Sequence, residues 1–268
     1  MIRLAAFDLD GTLVDTDLIL SPRLRQTVTL AQQCGAILTI ATGRDARLTT
    51  RFARELGLNA PVICAQGGLI YDFLQDRVLH DVRLPSEILP RAIDAASHYG
   101  WNLHFEMADR SYLPAVSNHP PILFELLRYS QWSRVDDLLR DIPESPHKFL
   151  VTLNHPDDRP RIMSELCEVF DGQIRIVPSH PYLIEGVPRG VTKGSGLAWL
   201  ADYYNIPQAE VMAVGDNDND VPMIEWAGLG VAIGNASLAA KAAADWIAPP
   251  VEENGAAVAI EKFILNQE

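Results

Sequence analysis

Asp8 and Asp10 stand in FDLDGTLVD, directly behind the apolar run IRLAAF, and the five positions from Asp216 to Asp220 hold three aspartates and two asparagines behind the run VMAV. Carboxylates this dense either cap turns and helices, as Asp and Asn commonly do, or serve a cation. Two further stretches carry groups suited to an anion. Thr42 lies in IATGR, where a hydroxyl and free backbone amides at a strand-to-helix junction favour negative charge, and Arg44 adds a cation nearby. Taken alone, that threonine is as readily an N-cap. Lys193 lies in GVTKGSG and is one of only four lysines against eighteen arginines. Its small neighbours let a ligand approach, and a cation at a helix start is unfavourable unless an anion joins it.

The acid-rich stretch resembles the start of a calcium loop, but that loop needs Gly at its sixth position and a bidentate Glu at its twelfth. Counted from Asp216, those positions hold Val221 and Ala227. If Asp8, Asp10, Asp216 and Asp220 meet, they repel and raise one another's pKa values unless a cation sits among them. Magnesium suits such a set, because it takes one or two carboxylates together with water and substrate oxygen. The seven histidines show no HxxxH or HxH spacing, so a zinc site is not expected.

The elements that must position these groups are short apolar runs alternating with helical patterns. IRLAAF (2–7), AILTIA (36–41) and PVICA (61–65) read as strands, with helices after Ser21-Pro22 and from about Arg44 to Leu56 between them. Near the end, VMAVG (211–215), a helix through Ile224 and Trp226, GVAIG (230–234), an alanine-rich helix (236–244) and a last helix (255–265) repeat the rhythm. Nearly continuous apolar strands in this alternation predict an α/β fold with a doubly wound, Rossmann-like parallel sheet. Ligands of such sheets bind outside the carboxyl ends of the strands, where all four stretches fall. Between about 83 and 187 the texture changes. Helical segments (87–99, 158–170) alternate with WNLHFE, KFLVTLN and QIRIV, and Pro-rich joints separate them at 114–121, 143–146 and 178–188. That predicts an inserted α+β domain at 83–187 within a core of 1–82 and 188–268, as against one continuous large sheet.

The formal charge of -13 over 268 residues argues against a nucleic-acid surface. No uncharged run approaches the length of a membrane span, and the start is too short for a secretory apolar region. Cys34, Cys64 and Cys167 lack CxxC spacing, as expected of reduced thiols in a cytoplasmic protein.

In order and spacing, DLDGT, TGR, TKG and GDNDND resemble the haloacid dehalogenase superfamily of phosphotransferases. More narrowly, the chain looks like the Cof-type (IIB) branch, which carries a large α+β cap between the second and third motifs. The resemblance implies that Asp8 attacks phosphorus to form an aspartyl phosphate, and that Asp10 is the general acid and base. It implies that Thr42, the Gly43 amide, Lys193 and Asn219 hold phosphoryl oxygens and that Arg44 is a further substrate contact. Magnesium would bind the Asp8 carboxylate, the Asp10 backbone carbonyl and Asp216, with Asp220 orienting its neighbours. Asn217 and Asp218 are expected to face solvent. The cap would close over the site and supply specificity, with His104, Glu106, His119, Arg128, His180 and Glu185 as its polar candidates.

Many relatives have Asn-Gly after the third strand, whereas this chain has Gln66-Gly67-Gly68. The TGR stretch is missing from the mannosylphosphoglycerate phosphatases, so its presence favours the general sugar-phosphate type. The expected function is magnesium-dependent hydrolysis of a small phosphorylated metabolite. A phosphomutase shares the aspartyl chemistry. A phospho-aspartyl signalling module is about half this length and lacks the second aspartate.

Overall fold

Four buried apolar residues, Leu4–Phe7, form the strand around which the first part of the structure is laid. The computed structural model describes residues 1–116 and 119–267, so part of the 114–121 joint lies outside the described residues. The chain divides into two compact units, Met1–His80 with Thr192–Glu268, and Asp81–Val191.

In the first unit five strands pair in the order Trp246–Ile247, Leu229–Ala232, Val211–Gly215, Leu4–Phe7, Ile37–Ile40, every pair parallel. Parallel strands buried on both faces carry apolar residues at successive positions rather than alternate ones, and Leu4–Phe7 and Val211–Gly215 do so. Register then fixes where the chemistry falls. Phe7 lies opposite both Val214 and Ile40, so Asp8, Asp216 and Thr42 emerge within two residues of a common sheet edge.

The flanking helices have legible starts. Ser21 caps Pro22–Gln33 by accepting from the Leu24 amide at 3.1 Å, with proline at the first helical position. Asp45 caps Ala46–Leu56, which buries Leu48, Phe52 and Leu56 on one side and ends at Gly57 in the left-handed region.

The run at 61–65 departs from the expected third parallel strand. Val62–Cys64 touches its parallel neighbour through a single bridge, Ala41 with Ile63, and otherwise pairs antiparallel with Leu69–Asp72 in a separate sheet completed by Arg77–Asp81. The reason is local. Ala65, Gln66 and Gly67 all take positive φ (48°, 60° and 101°), which turns the chain back on itself after three strand residues.

In the second unit six strands run in the order Ile174–His180, Leu183–Pro188, Lys148–Thr152, Asn102–Glu106, Ser111–Pro114, Trp132–Val135, antiparallel except for the last pair. Alternation sorts their faces. Leu103, Phe105, Phe149, Val151 and Ile184 join the buried cluster made with helices Ile88–Tyr99 and Arg159–Phe170. The intervening positions bring His104, Glu106, Lys148, Thr152 and Glu185 to the opposite face, and these too are buried. Lys148 sits directly across from Glu106, 3.2 Å away, and 2.9 Å from Glu185 on the other neighbouring strand. Burial opposes the ammonium, but the two glutamates outweigh it and hold Lys148 above the usual lysine range.

His104 is buried against this cationic group, and burial foremost, then His119 and Lys148, pulls its pKa down to about 3. The unfolded chain therefore takes up a proton near pH 6.5 that the folded chain refuses until about pH 3. Stability is lost as pH falls through this window, at up to about 1.4 kcal/mol per pH unit. Urea midpoints of the parent and His104→Gln, compared from pH 7 to pH 4, are expected to show a shallower acid slope in the variant. Parallel slopes would remove His104 as the cause.

Candidate functional site

The loop leaving the first strand is shaped by one glycine. Gly11 has φ +85°, and a Cβ there would lie 2.5 Å from Asp216 Oδ2, so no other residue lets the loop close on that carboxylate. The next residue completes the grip, because the Thr12 hydroxyl donates to Asp216 Oδ1 at 2.8 Å. The Asp8 amide donates to Val214 O at 2.9 Å, which continues the parallel ladder up to the first acid.

Lys193 opens the helix Lys193–Tyr203 behind the Thr192 cap, whose side chain accepts from the Ser195 amide at 2.9 Å. Its ammonium is buried and donates at 2.5 Å to both Asp8 Oδ1 and Asp220 Oδ1. The remaining Asp220 oxygen, Oδ2, accepts from the amides of Asp216 (2.9 Å) and Asn217 (3.0 Å). Asp220 is thus committed on both oxygens and holds the backbone of the acidic stretch in place.

One oxygen each from Asp8, Asp216 and Asp220 lies within 4.8 Å of the others. Burial first, then Asp220, pushes the Asp8 carboxyl well up, and Lys193 offsets only part of this. Asp216 is raised to about 6 by burial and Asp220, against the opposing hydrogen bond from Thr12. Three carboxylates and one ammonium leave two negative charges without compensation. The donor set is all hard oxygen, so the residues present fit a divalent cation.

Thr42 is buried at the end of the neighbouring strand, where its hydroxyl accepts from the Arg44 amide at 3.2 Å. It does not cap the following helix, because Asp45 does. The Arg44 guanidinium engages both oxygens of Asp10, at 2.6 and 2.7 Å. This pair fixes the orientation of the Asp10 carboxylate and still leaves one lone pair on each oxygen. Asn219 is buried and donates from Nδ2 to Gln66 Oε1 at 3.1 Å. Asp218 is exposed and accepts from the Ser237 hydroxyl at 2.6 Å. Asn217 is half-buried and accepts from the Asp218 amide at 2.8 Å, so it is a cap as well as a surface residue.

The structure thus joins Asp8, Lys193, Asp216 and Asp220 in one cluster, pairs Asp10 with Arg44, and sets Thr42 and Gly43 in the loop between Ile37–Ile40 and Ala46–Leu56. Thr12 and Asn235 carry no signal of their own in the sequence, where Gln66 stands out only as a departure from the Asn-Gly of many relatives. Thr12 is visible in hindsight as the last residue of DLDGT. Asn235, whose Nδ2 donates to Gly11 O at 3.1 Å, follows the end of an apolar strand as the other site residues do. Among the polar residues at 83–187, His104, Glu106 and Glu185 share the buried face described above, whereas His119 accepts no such place and lies 3.3 Å from Pro114 O through Nε2.

A sheet of this order with acids at its carboxyl edge defines a class, and sequence comparison defines the family. Residues 5–260 match the family described as haloacid dehalogenase-like hydrolase, and the chain belongs to it. It is 29% identical over 266 residues to the 5-amino-6-(5-phospho-D-ribitylamino)uracil phosphatase YitU of Bacillus subtilis (strain 168), covering 97% of each chain. It is 30% identical to the 5-amino-6-(5-phospho-D-ribitylamino)uracil phosphatase YcsE of the same organism, covering 98% of this chain and 96% of the relative. A haloacid dehalogenase-like hydrolase from Bacteroides thetaiotaomicron superposes with a TM-score of 0.87 at 31% identity, over 98% of this chain and 99% of the other. No helix among the described residues is long and apolar enough to cross a membrane.

Proposed function

We propose that this enzyme, a phosphatase of the haloacid dehalogenase-like family, hydrolyses a small phosphorylated metabolite, a sugar or sugar-alcohol phosphate, with magnesium as its cation. The observation that carries the reading is the ammonium of Lys193 bridging Asp8 and Asp220 beside Asp216. A buried cation next to a nucleophilic carboxylate neutralises it and gives an incoming phosphoryl group a positive partner. The names of YitU and YcsE, which refer to a ribityl phosphate, support the substrate class.

An Asp8 oxygen attacks phosphorus, the P–O bond to the alcohol breaks, and Asp10 gives its proton to the departing oxygen. Water then attacks the aspartyl phosphate and passes a proton to Asp10. The P–O bond to Asp8 breaks and inorganic phosphate leaves. Thr42, the Gly43 amide, Lys193 and Asn219 hold the phosphoryl oxygens. The carboxylates of Asp8 and Asp216 and the Asp10 carbonyl would hold magnesium, and Asp220 fixes the backbone at Asp216 and Asn217. Once bound, magnesium supplies charge neutralisation to the phosphoryl oxygens. We assign the chemistry to 1–82 and 188–268 and the choice of substrate to the cap, 83–187.

The test is phosphate release from a generic aryl phosphate and from a panel of phosphorylated metabolites, including the ribityl phosphate named for the relatives, with magnesium or with chelator. Turnover is expected only with magnesium. Partners that merely orient a metal ligand contribute about 10- to 100-fold in metal affinity. Asp216→Asn is expected to exceed that loss, whereas the exposed Asp218 changed to Asn stays close to the parent. Equal losses from the two changes would refute the metal assignment, and a parent inactive on the entire panel would refute the function.

A further inference from the structure

Gln66 is buried to 1% exposure in a left-handed conformation, φ 60° and ψ 20°, which a residue other than glycine adopts at a cost. Strain of this kind persists only where the surroundings fix it, and three elements do so. The Gln66 amide donates to Thr42 O at 3.1 Å, and the Ala65 amide donates to Arg44 O at 3.1 Å. Gly67 packs so closely on the start of the Lys193 helix that a Cβ would stand 2.0 Å from Thr192 O. The Gln66 side chain meets Asn219. The Gln66-Gly67 turn is therefore tied to each of the elements that carry Thr42, Lys193 and Asn219.

The two amides make one hydrogen bond between them. Gln66 Nε2 and Asn219 Oδ1, both buried, have no partner among the described residues. If both amides are turned over, the same bond runs the other way and one NH2 group and one carbonyl are again left over. Buried donors are rarely left unpaired, and those that are stand where a ligand or ordered water completes them. The unpaired NH2 suits a phosphoryl oxygen, and the carbonyl suits a hydroxyl of water or substrate.

We propose that the Gln66–Asn219 amide pair is one unit of the substrate site, with Gln66 donating an N–H bond to the phosphoryl group; this rests on the phosphatase reading above. Gln66→Met keeps the length of the side chain and removes its polar atoms. Gln66→Glu keeps the shape and the acceptor and removes the NH2. Losing one preorganised donor to a developing oxyanion costs about 100- to 1,000-fold in kcat.

The experiment measures kcat and KM on aryl phosphate with magnesium, competitive inhibition by inorganic phosphate, and thermal unfolding, for the parent and both variants. In both variants kcat/KM is expected to fall on the order of 100-fold and phosphate inhibition to weaken, with cooperative unfolding retained. A folded variant with the parent's phosphate inhibition and kcat/KM would overturn the proposal and assign the amide to packing or to a water. Should Gln66→Met fail to fold, Gln66→Glu decides alone. An inactive parent would instead sink the phosphatase reading, so the two failures are distinguishable.

Discussion

Asp8→Asn is expected to end phosphate release while leaving the chain folded. The amide cannot form the aspartyl phosphate, and losing a nucleophile that works with its partners as one unit costs about 10⁴- to 10⁶-fold in kcat. Stability is expected to move the other way. Burial and Asp220 already push the Asp8 carboxyl well up, so its charged form strains the fold at neutral pH, and a neutral amide removes one of two uncompensated charges. Lys193 keeps Asp220 as its partner at 2.5 Å. In chelator at pH 7.5 the variant should unfold at the parent's temperature or above it. Turnover above about 1% of the parent's would show that another group attacks phosphorus.

Lys193→Met should cost both activity and stability. Lys193 is the buried ammonium of the cluster, and without it Asp8, Asp216 and Asp220 face one another with no cation of the protein between them. Removing one partner of a buried ion pair costs about 3–5 kcal/mol. The sign of its pH dependence follows from the carboxyls. Asp8 and Asp216 already sit above their unfolded values, and losing Lys193 raises them further. A carboxyl raised in the folded state destabilises it once ionised, so the deficit is full above the folded pKa and is relieved as pH falls through it. Urea unfolding in chelator should show a larger deficit at pH 7.5 than at pH 5, and magnesium should recover part of it at pH 7.5. A deficit that grows on acidification would contradict the electrostatic account. With Asp8→Asn in the same chain, the combined loss should be smaller than the sum, because the two changes share one ion pair.

The contrast between these variants shows what was legible beforehand. Apolar runs such as 2–7, 36–41 and 211–215 are close to the observed strands because a doubly covered strand must be apolar throughout. The hairpin of Leu69–Asp72 and Arg77–Asp81 escaped, since its second strand is half-exposed and polar. Trp132–Val135, at the edge of its sheet, escaped for the same reason. At the site, the residue types at 8, 10, 193 and 216–220 could be read directly. Their pairings could not: Arg44 could be placed near an anion from the sequence, but its grip on Asp10 depends on how two loops meet 34 residues apart. Lys148 read as a strand residue, and its burial between Glu106 and Glu185 depends on strands from distant segments.

The strand order of the first unit also has a consequence in time. Asp8 and Lys193 are 185 residues apart, and the strand that follows Lys193, Val211–Gly215, pairs with the free side of Leu4–Phe7. At about 5–20 residues per second of synthesis, roughly 10–40 s pass between the appearance of Asp8 and that of its ammonium. Through that interval Leu4–Phe7 can pair at most with Ile37–Ile40 and presents an open, wholly apolar edge on its other side. Asp81–Val191, contiguous and with its own buried cluster, is complete before that edge is closed. The strand that ends at Asp8 thus stays open to mispairing until 211–215 arrives, and that arrival both closes the edge and assembles the acids.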